Sequence, residues 1–568
     1  MKVCVVGAGA SGLPAIKSCI EEGLEVVCFE KSSQVGGLWN YRPGQPNIGA
    51  TVMESTVVNT SKEMMAYSDF PPPEDFANFM HHSKVNEYIQ AYAYHYKLLD
   101  KIRFNTTVSR VSRNPEGGYL VQLESGEQHV FDKLMLCTGH HAQPSRPFLR
   151  DLEKFRGTVV HAYDYTNTKG YEGKNVVLLG IGNSALDIAV DIAKIAKSVT
   201  ISTRRGTWIF NRVSAGGMPY DVLLFSRYYD TFMKMVPWTL TNDFMEHRLQ
   251  QRLDHDTYGL RPDHRFFQQH PTVNDALANL ICAGLITIGE DVDHFTENSV
   301  ILKQGKEVPC DVFVMCTGYT FGFPFVDPDI IQIQNQQTHL YKYVFPPSDD
   351  SLAVIGLIQP IGSIAPIAEI QSRWAARVFS GKQSLPSEKD MLNDMEKKKA
   401  AMKRRYFDSI KHTIQVDYMS YMDEIAEIIG CKPSLTEYLF KDPKFFMCLY
   451  MGPNAPYAYR LRGPNSWGGA KRALQELPLR VKKPLKNRQC RTRRHKKRGT
   501  TDEYFRYASR KWIAMSLAVL FGAGFAVFCT ATSVVSPLIY FLVYAMVFSL
   551  VSIVLLWFDL QYDMTTCI

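Results

Sequence analysis

Two stretches of the chain space their glycines so that backbone can close on a phosphate. In the first, KVCVVGAGASG, a short β-branched run leads into Gly7, Gly9 and Gly12, with Ala10 and Ser11 between them. LPAIKSCIEEG follows with its apolar residues at helical spacing, then EVVCFE, which ends in Glu30. The three glycines do different things. Gly7 makes the turn, Gly9 lets backbone approach a pyrophosphate, and Gly12 lets the helix pack close to the strand. The helix N-terminus offers free N–H groups to the phosphates, and Glu30 accepts from ribose hydroxyls. GGLWN follows, in which Gly37, Leu38 and Trp39 extend the site through a second close backbone approach.

KNVVLLGIGNSALDIAVDIAKIAKSVTIST repeats the unit, with Gly180, Gly182 and Ala185 at the glycine positions and Asn183 and Ser184 between. Its second strand runs into TRRG, so Arg204 and Arg205 follow where the first unit has an acid. Guanidinium groups bind a 2′-phosphate that a carboxylate would repel, so the second loop prefers NADPH to NADH. Two sites of opposite polarity imply one tightly held flavin dinucleotide, FAD, and one exchanging NADPH. Two further echoes, LMLCTGHHAQP and VFVMCTGYTFGFP, read as linkers between domains.

Other chemistries find little support. The 12 cysteines form no CxxC pair, and none lies between Cys28 and Cys137, where a flavin-linked dithiol would fall. His140 and His141, read as neighbours on a strand, face opposite ways and make a poor metal pair. No metal site is expected. Asp187 and Asp191, four apart on the second unit's helix, read as a solvated face.

A chain of 568 residues, 46% hydrophobic and 21% charged, has room for two or three domains. The net charge of +8 is concentrated in KNRQCRTRRHKKR, Lys486 to Arg498, which lacks the interleaved aromatics of a nucleic-acid surface and reads as a juxtamembrane tract facing anionic lipid. Trp512 to Phe558 carries no charge and is roughly twice the ~20 residues that span a bilayer. Ser536-Pro537 near its middle leaves one spanning helix or a hairpin open. Arg506, Arg510 and Lys511 before it and Asp559 after it place the main body in the cytosol. The N-terminus reads as a glycine loop and not as a signal peptide, which makes the apolar run a C-terminal anchor.

In order along the chain, GAGASG, FEKSSQVGGLWN, NTSKEMMAYSDFPPPEDF, FRGTVVHAYDY, GIGNSALDIA, STRRGTWIFNR, CTGYTFGFPF, GLIQPIG, QSRWAARV and GPNAPYAYRLRGP resemble the flavin-containing monooxygenases. Phe155, Gly157, His161 and Tyr165 match the family signature F-x-G-x-x-x-H-x-x-x-Y/F; the related Baeyer–Villiger enzymes usually carry tryptophan at the last position. The resemblance implies a cycle in which NADPH reduces FAD and O2 adds to give a C4a-hydroperoxyflavin. That oxidant then oxygenates soft nucleophiles, amine nitrogen or sulfide sulfur, of small molecules. Asn59, with Thr60 beside it, is the family asparagine placed by the flavin; without the resemblance it is a loop residue or a sequon with Ser61. Asn183 is carried over as a nicotinamide-side contact and Gln371 as a residue near the flavin. His161 is carried over as a positioning residue, since a proton donor would destroy the oxidant.

The expected fold is α/β, with two Rossmann-like dinucleotide-binding domains, the second inserted in the first, and a C-terminal membrane anchor. The FAD domain covers 1–152 and 326–440, and the NADPH domain 153–325 with a largely helical insertion at about 221–297. A C-terminal region at 441–511 precedes the membrane segment at 512–558. The enzyme would sit at the cytosolic face of the endoplasmic reticulum, with a homo-oligomer left open. Three rivals remain: Baeyer–Villiger oxygenation of ketones, an NADPH oxidase that releases H2O2, and a membrane-anchored FAD- and NADPH-binding redox sensor without turnover.

Overall fold

The computed structural model describes residues 1–486 except 46–47, 142, 215–216, 334–335 and 406–412. Two five-stranded sheets dominate, and every pairing within them is parallel. In the first, Lys2–Val6 is the central strand, with Glu25–Phe29 and Ile102–Arg103 on one side and Lys133–Leu136 and Leu352–Val354 on the other. In the second, Asn175–Leu179 is central, with Ser198–Ser202 and Thr287–Gly289 on one side and Val312–Met315 and Thr158–His161 on the other. Leu352–Val354 rejoins the first sheet after every strand of the second has been laid down, so the second unit is an insertion.

Both units also carry a three-stranded antiparallel meander just before the strand that ends in Cys-Thr-Gly: Val108–Arg113, Tyr119–Leu123 and Gln128–Phe131 in one, and Val292–Phe295, Ser299–Leu302 and Glu307–Pro309 in the other. The repeat therefore extends well past the glycine loops. Beyond the two Cys-Thr-Gly turns, Gln143–Pro144 pairs antiparallel with Tyr319–Thr320, so the chain enters and leaves the second unit through one two-stranded ribbon. The linker reading of these turns accounts for half of what they do; the other half concerns the glycine loops.

The central strands read as continuous apolar runs because both faces are covered, as parallel sheets require. The first sheet packs the helix Gly12–Glu21 against Ile364–Phe379, which is buried along nearly its whole length. Ile16, Ile367 and Trp374 lie in this core at 1% exposure or less, and burying such a side chain contributes roughly 1.5–3 kcal/mol.

Three expectations need correction. The region 221–297 is helical only in its first part, Tyr220–Leu224, Arg227–Met235 and Trp238–Gln250, with a short helix at Leu277–Cys282. Aspartates, Gly259 and Pro262 break the pattern after 250, and the β-branched stretch at Thr287–Gly289 joins the second sheet as an edge strand. Asp187 and Asp191 do not form a solvated face: Asp191 accepts from Tyr165 Oη at 2.8 Å, and burial pushes the Asp187 carboxyl up to about 6. His140 and His141 lie in a turn beyond the strand, with ring centroids 4.3 Å apart instead of on opposite faces. Among the described residues no helix is long and apolar enough to cross a membrane, and the run 512–558 lies outside them.

Candidate functional site

Each glycine loop is roofed by a Cys-Thr-Gly turn. Gly7 has φ +99°, and a Cβ there would stand 2.9 Å from the Cys137 carbonyl oxygen. Gly180 has φ +113°, and its Cβ would stand 2.6 Å from the Cys316 carbonyl oxygen. The ladders match too, since Gly7 N–H donates to Phe29 and Gly180 N–H to Ser202, both at 2.9 Å. That register aligns Glu30 with Thr203, so Arg204 and Arg205 stand one and two residues past the acid position. Both arginines are exposed, whereas Glu30 is 6% exposed.

The Glu30 carboxylate accepts from Ala8 N–H at 2.7 Å and from the N–H and Oγ of Ser32 at 2.8 and 2.7 Å, which ties the end of the second strand to the glycine loop. Gly36 N–H donates to Ala8 O and Arg42 donates to Gly37 O, which folds Gly37, Leu38 and Trp39 back over the loop as a single 3-10 turn. A Cβ on Gly37 would stand 3.1 Å from Gly9 Cα, and one on Gly9 would stand 3.5 Å from Gly37 Cα. This narrow backbone cradle, which any side chain would fill, suits a pyrophosphate. Tyr67 Oη donates to Ala10 O, and Ser11 is buried under Gly356, where a Cβ would stand 2.2 Å from Ser11 Oγ.

Gln371 is fully buried, with one hydrogen bond at each end of its amide. Its Oε1 accepts from Gly356 N–H at 2.8 Å, and its Nε2 donates to Tyr421 Oη at 2.7 Å. It therefore reaches the first loop through Gly356.

In the second unit Gly182 is exposed, and a Cβ there would meet nothing within 4 Å. Ala185 is fully buried and its methyl is accommodated. Asn183 Oδ1 accepts from Val273 N–H at 2.8 Å, and Ser184 beside it is half-buried.

Asn59 and Thr60 are half-buried at the start of a segment held from two directions. Arg212 Nη2 donates to Asn59 Oδ1 at 2.6 Å, while its Nη1 pairs with Asp275 at 2.8 Å. A guanidinium only donates, so the amide oxygen must face it and the Nδ2 donor is directed elsewhere. Asp221 accepts from Ser61 N–H at 2.6 Å, and burial pushes its carboxyl up to about 6. Arg212 and Asp221 stand on either side of the stretch 213–220, whose sequence gives no sign of such contacts. STRRGTWIFNR contains Arg212, but nothing in that stretch indicates a partner 153 residues away.

The signature stretch fixes the joint. Phe155 lies against Gly157, where a Cβ would stand 2.3 Å from the Phe155 ring and 2.6 Å from Asp311 O. His161 ends the strand Thr158–His161 and is fully buried. Its Nδ1 accepts from Tyr163 N–H at 3.0 Å, which places the ring proton on Nε2, 3.4 Å from Thr317 Oγ1. Burial, with Arg146 nearby, lowers its pKa and keeps the ring neutral. Tyr165 is 2% exposed and bonded to the second unit's helix, while the next residue, Thr166, accepts from Glu54 N–H at 2.8 Å. The stretch thus links that helix to the segment leading into Asn59, with Tyr165 buried at the joint.

Known proteins resemble this chain in sequence and in fold. The model of the flavin-binding monooxygenase-like family matches residues 1–519. Flavin-containing monooxygenase 5 of Cavia porcellus is 45% identical over 500 residues, 86% of this chain and 94% of that protein. Dimethylaniline monooxygenase (N-oxide-forming) 2 of Oryctolagus cuniculus is 42% identical over 499 residues, 86% of this chain and 93% of that protein. Among solved structures, S-allyl-L-cysteine S-oxygenase from Allium sativum superposes with a TM-score of 0.57 at 22% identity, covering 84% of this chain and 98% of that one. Cyclohexanone monooxygenase in its open form gives 0.56 at 15%, covering 76% and 97%, and shares the fold. On these matches the chain belongs to the flavin-binding monooxygenase family and is a monooxygenase that works with FAD and NADPH.

Proposed function

We propose that this enzyme transfers one atom of O2 to soft nucleophiles, amine nitrogen and sulfide sulfur, of small molecules. Bound FAD, reduced by hydride from NADPH, supplies the oxygen-activating chemistry. The observation that carries the reading is the Asn59 amide, with its oxygen occupied by Arg212 and its Nδ2 donor turned away. An amide donates a hydrogen bond without releasing a proton, which suits an oxidant that stray protons would collapse to H2O2. The neighbouring groups agree with this. His161 is neutral, and Asp221, although burial pushes its carboxyl up to about 6, is mostly ionised at about pH 7.5. The N-oxide-forming relative at 42% identity supports an amine substrate.

In the same reading Gly7, Gly9, Gly12, Gly37 and Glu30 hold FAD, with Gln371 acting from behind. Gly180, Gly182 and Asn183 hold NADPH, and Arg204 and Arg205 take its 2′-phosphate. The charge-free run 512–558 behind its basic flank supports attachment at the cytosolic face of the endoplasmic reticulum.

Stoichiometry with the full-length enzyme tests the proposal. NADPH consumption is compared with N-oxide, sulfoxide, ester and H2O2 formed from a tertiary amine, a sulfide and a ketone. N-oxide or sulfoxide matching most of the NADPH is expected. Ester without N-oxide or sulfoxide, or peroxide matching all NADPH with every substrate, would overturn it.

A further inference from the structure

The segment that carries Asn59 is gripped on its far side by the C-terminal end of the described chain. Glu63, four residues after Asn59, is fully buried. Its Oε1 accepts from Arg480 Nε at 2.9 Å, and its Oε2 accepts from Tyr457 Oη at 2.7 Å. Arg480 lies in the last turn of the helix Ala470–Lys482 and also donates to Pro72 O. One residue on, Val481 O accepts from Asn78 Nδ2 at 2.9 Å, and Asn78 O accepts from Lys62 N–H at 2.7 Å. Lys62, fully buried, donates its ammonium to the carbonyls of Pro73, Glu74 and Phe76. Residues 61–63 are thus fastened through a loop at 72–78 to a helix far along the chain, Arg480 standing 417 positions after Glu63.

A buried carboxylate with two donors holds its backbone firmly, because losing the guanidinium leaves its charge uncompensated in a low dielectric and losing the hydroxyl leaves one oxygen without its hydrogen bond. The side chain of Asn59 is aimed by Arg212, but the place from which it reaches is set by the backbone running into Glu63. The geometry points to Arg480, acting through Glu63, as a positioning residue for Asn59. This rests on the role given to Asn59 above. It makes the helix Ala470–Lys482 part of the site's support.

The test uses the full-length, flavin-loaded enzyme with Tyr457→Phe, Arg480→Lys and Arg480→Gln. Tyr457→Phe removes a single oxygen and leaves the Arg480 pair in place, so it spares the fold. The readouts are amide hydrogen exchange and the fraction of consumed NADPH recovered as H2O2. In Arg480→Gln the amides of 58–63 should exchange about 10-fold faster, and in Tyr457→Phe, which keeps the Arg480 pair, by a smaller factor, while those of Lys2–Val6 and Asn175–Leu179 keep their protection in both, a local opening and not a global one. The peroxide fraction should rise about threefold, with Arg480→Lys between wild type and Arg480→Gln. Unchanged exchange at 58–63, acceleration spread equally over both sheets, or faster local exchange with an unchanged peroxide fraction would each overturn the inference. Asn59→Ala is measured alongside: if it leaves the peroxide fraction at the wild-type value, the role of Asn59 fails, and the exchange data show separately whether Arg480 holds the segment.

Discussion

The two glycine loops share one plan and differ in how much room they leave. In the first, a Cβ at Gly12 would stand 1.8 Å from the Gly7 carbonyl oxygen, and Gly9 and Gly37 cross almost at contact. In the second, the matching third position is already an alanine, and Gly182 faces open space. The region around the acid position differs in the same sense, Glu30 being buried in a web of loop hydrogen bonds and the two arginines just past its counterpart Thr203 exposed. A closed cradle favours a cofactor that stays, and an open one favours a cofactor that comes and goes.

Gly12→Ala should break the comparison hardest, because the clash is with backbone that cannot swing aside. It should cost about 3 kcal/mol or more and release the flavin, read from flavin absorbance per protein and the thermal midpoint. Arg204→Ala tests the open side. Loss of a charge-assisted hydrogen bond should raise the KM for NADPH about 10–100-fold and leave that for NADH within about twofold, in steady-state kinetics. Gly182→Ala separates fit from fold: its φ of −77° and ψ of 179° suit any residue. Stability should therefore stay within about 0.5 kcal/mol with full flavin content, while the KM for NADPH rises about 10-fold as the methyl enters the phosphate's path.

The smallest effect concerns the second unit's helix, where Asp187 is raised to about 6 by burial. A carboxyl whose folded pKa lies above its unfolded one holds more protons when folded. Its penalty is therefore absent below about pH 4, grows through pH 6 and is complete above it. Asp187→Asn should stabilise the enzyme by about 1 kcal/mol at pH 7.5, with the gain shrinking as the pH falls towards 4, followed by denaturant unfolding at several pH values.

What can be read from the sequence is local. Gly7, Gly9, Gly12 and Glu30 announce themselves because turn, helix and acid occupy a single βαβ unit, and the second unit does so by repetition. Long-range pairs do not. Arg212 reaches Asn59 across 153 positions and Arg480 reaches Glu63 across 417, and no periodicity encodes either meeting. Asp191 departs from the solvated-face reading for a related reason: spacing of i, i+4 defines a helix face but not what covers it, and here Tyr165 comes from outside the helix. Strand geometry does not hold for His140 and His141 because the strand stops at Leu136, where Cys137 turns to roof Gly7. The signature resemblance makes Tyr165 a marker of reaction class, and the structure finds that side chain buried and bonded to the second unit's helix.

The ribbon of Gln143–Pro144 against Tyr319–Thr320 has a consequence for modularity. A guest whose two ends emerge side by side can be removed and its ends rejoined without stretching the host, since the cut leaves a gap only one strand spacing wide, ~4.8 Å. The first sheet could then close with its own Leu352–Val354 strand beside Lys133–Leu136. The second unit thus hangs from the first by the joint that these two short strands form.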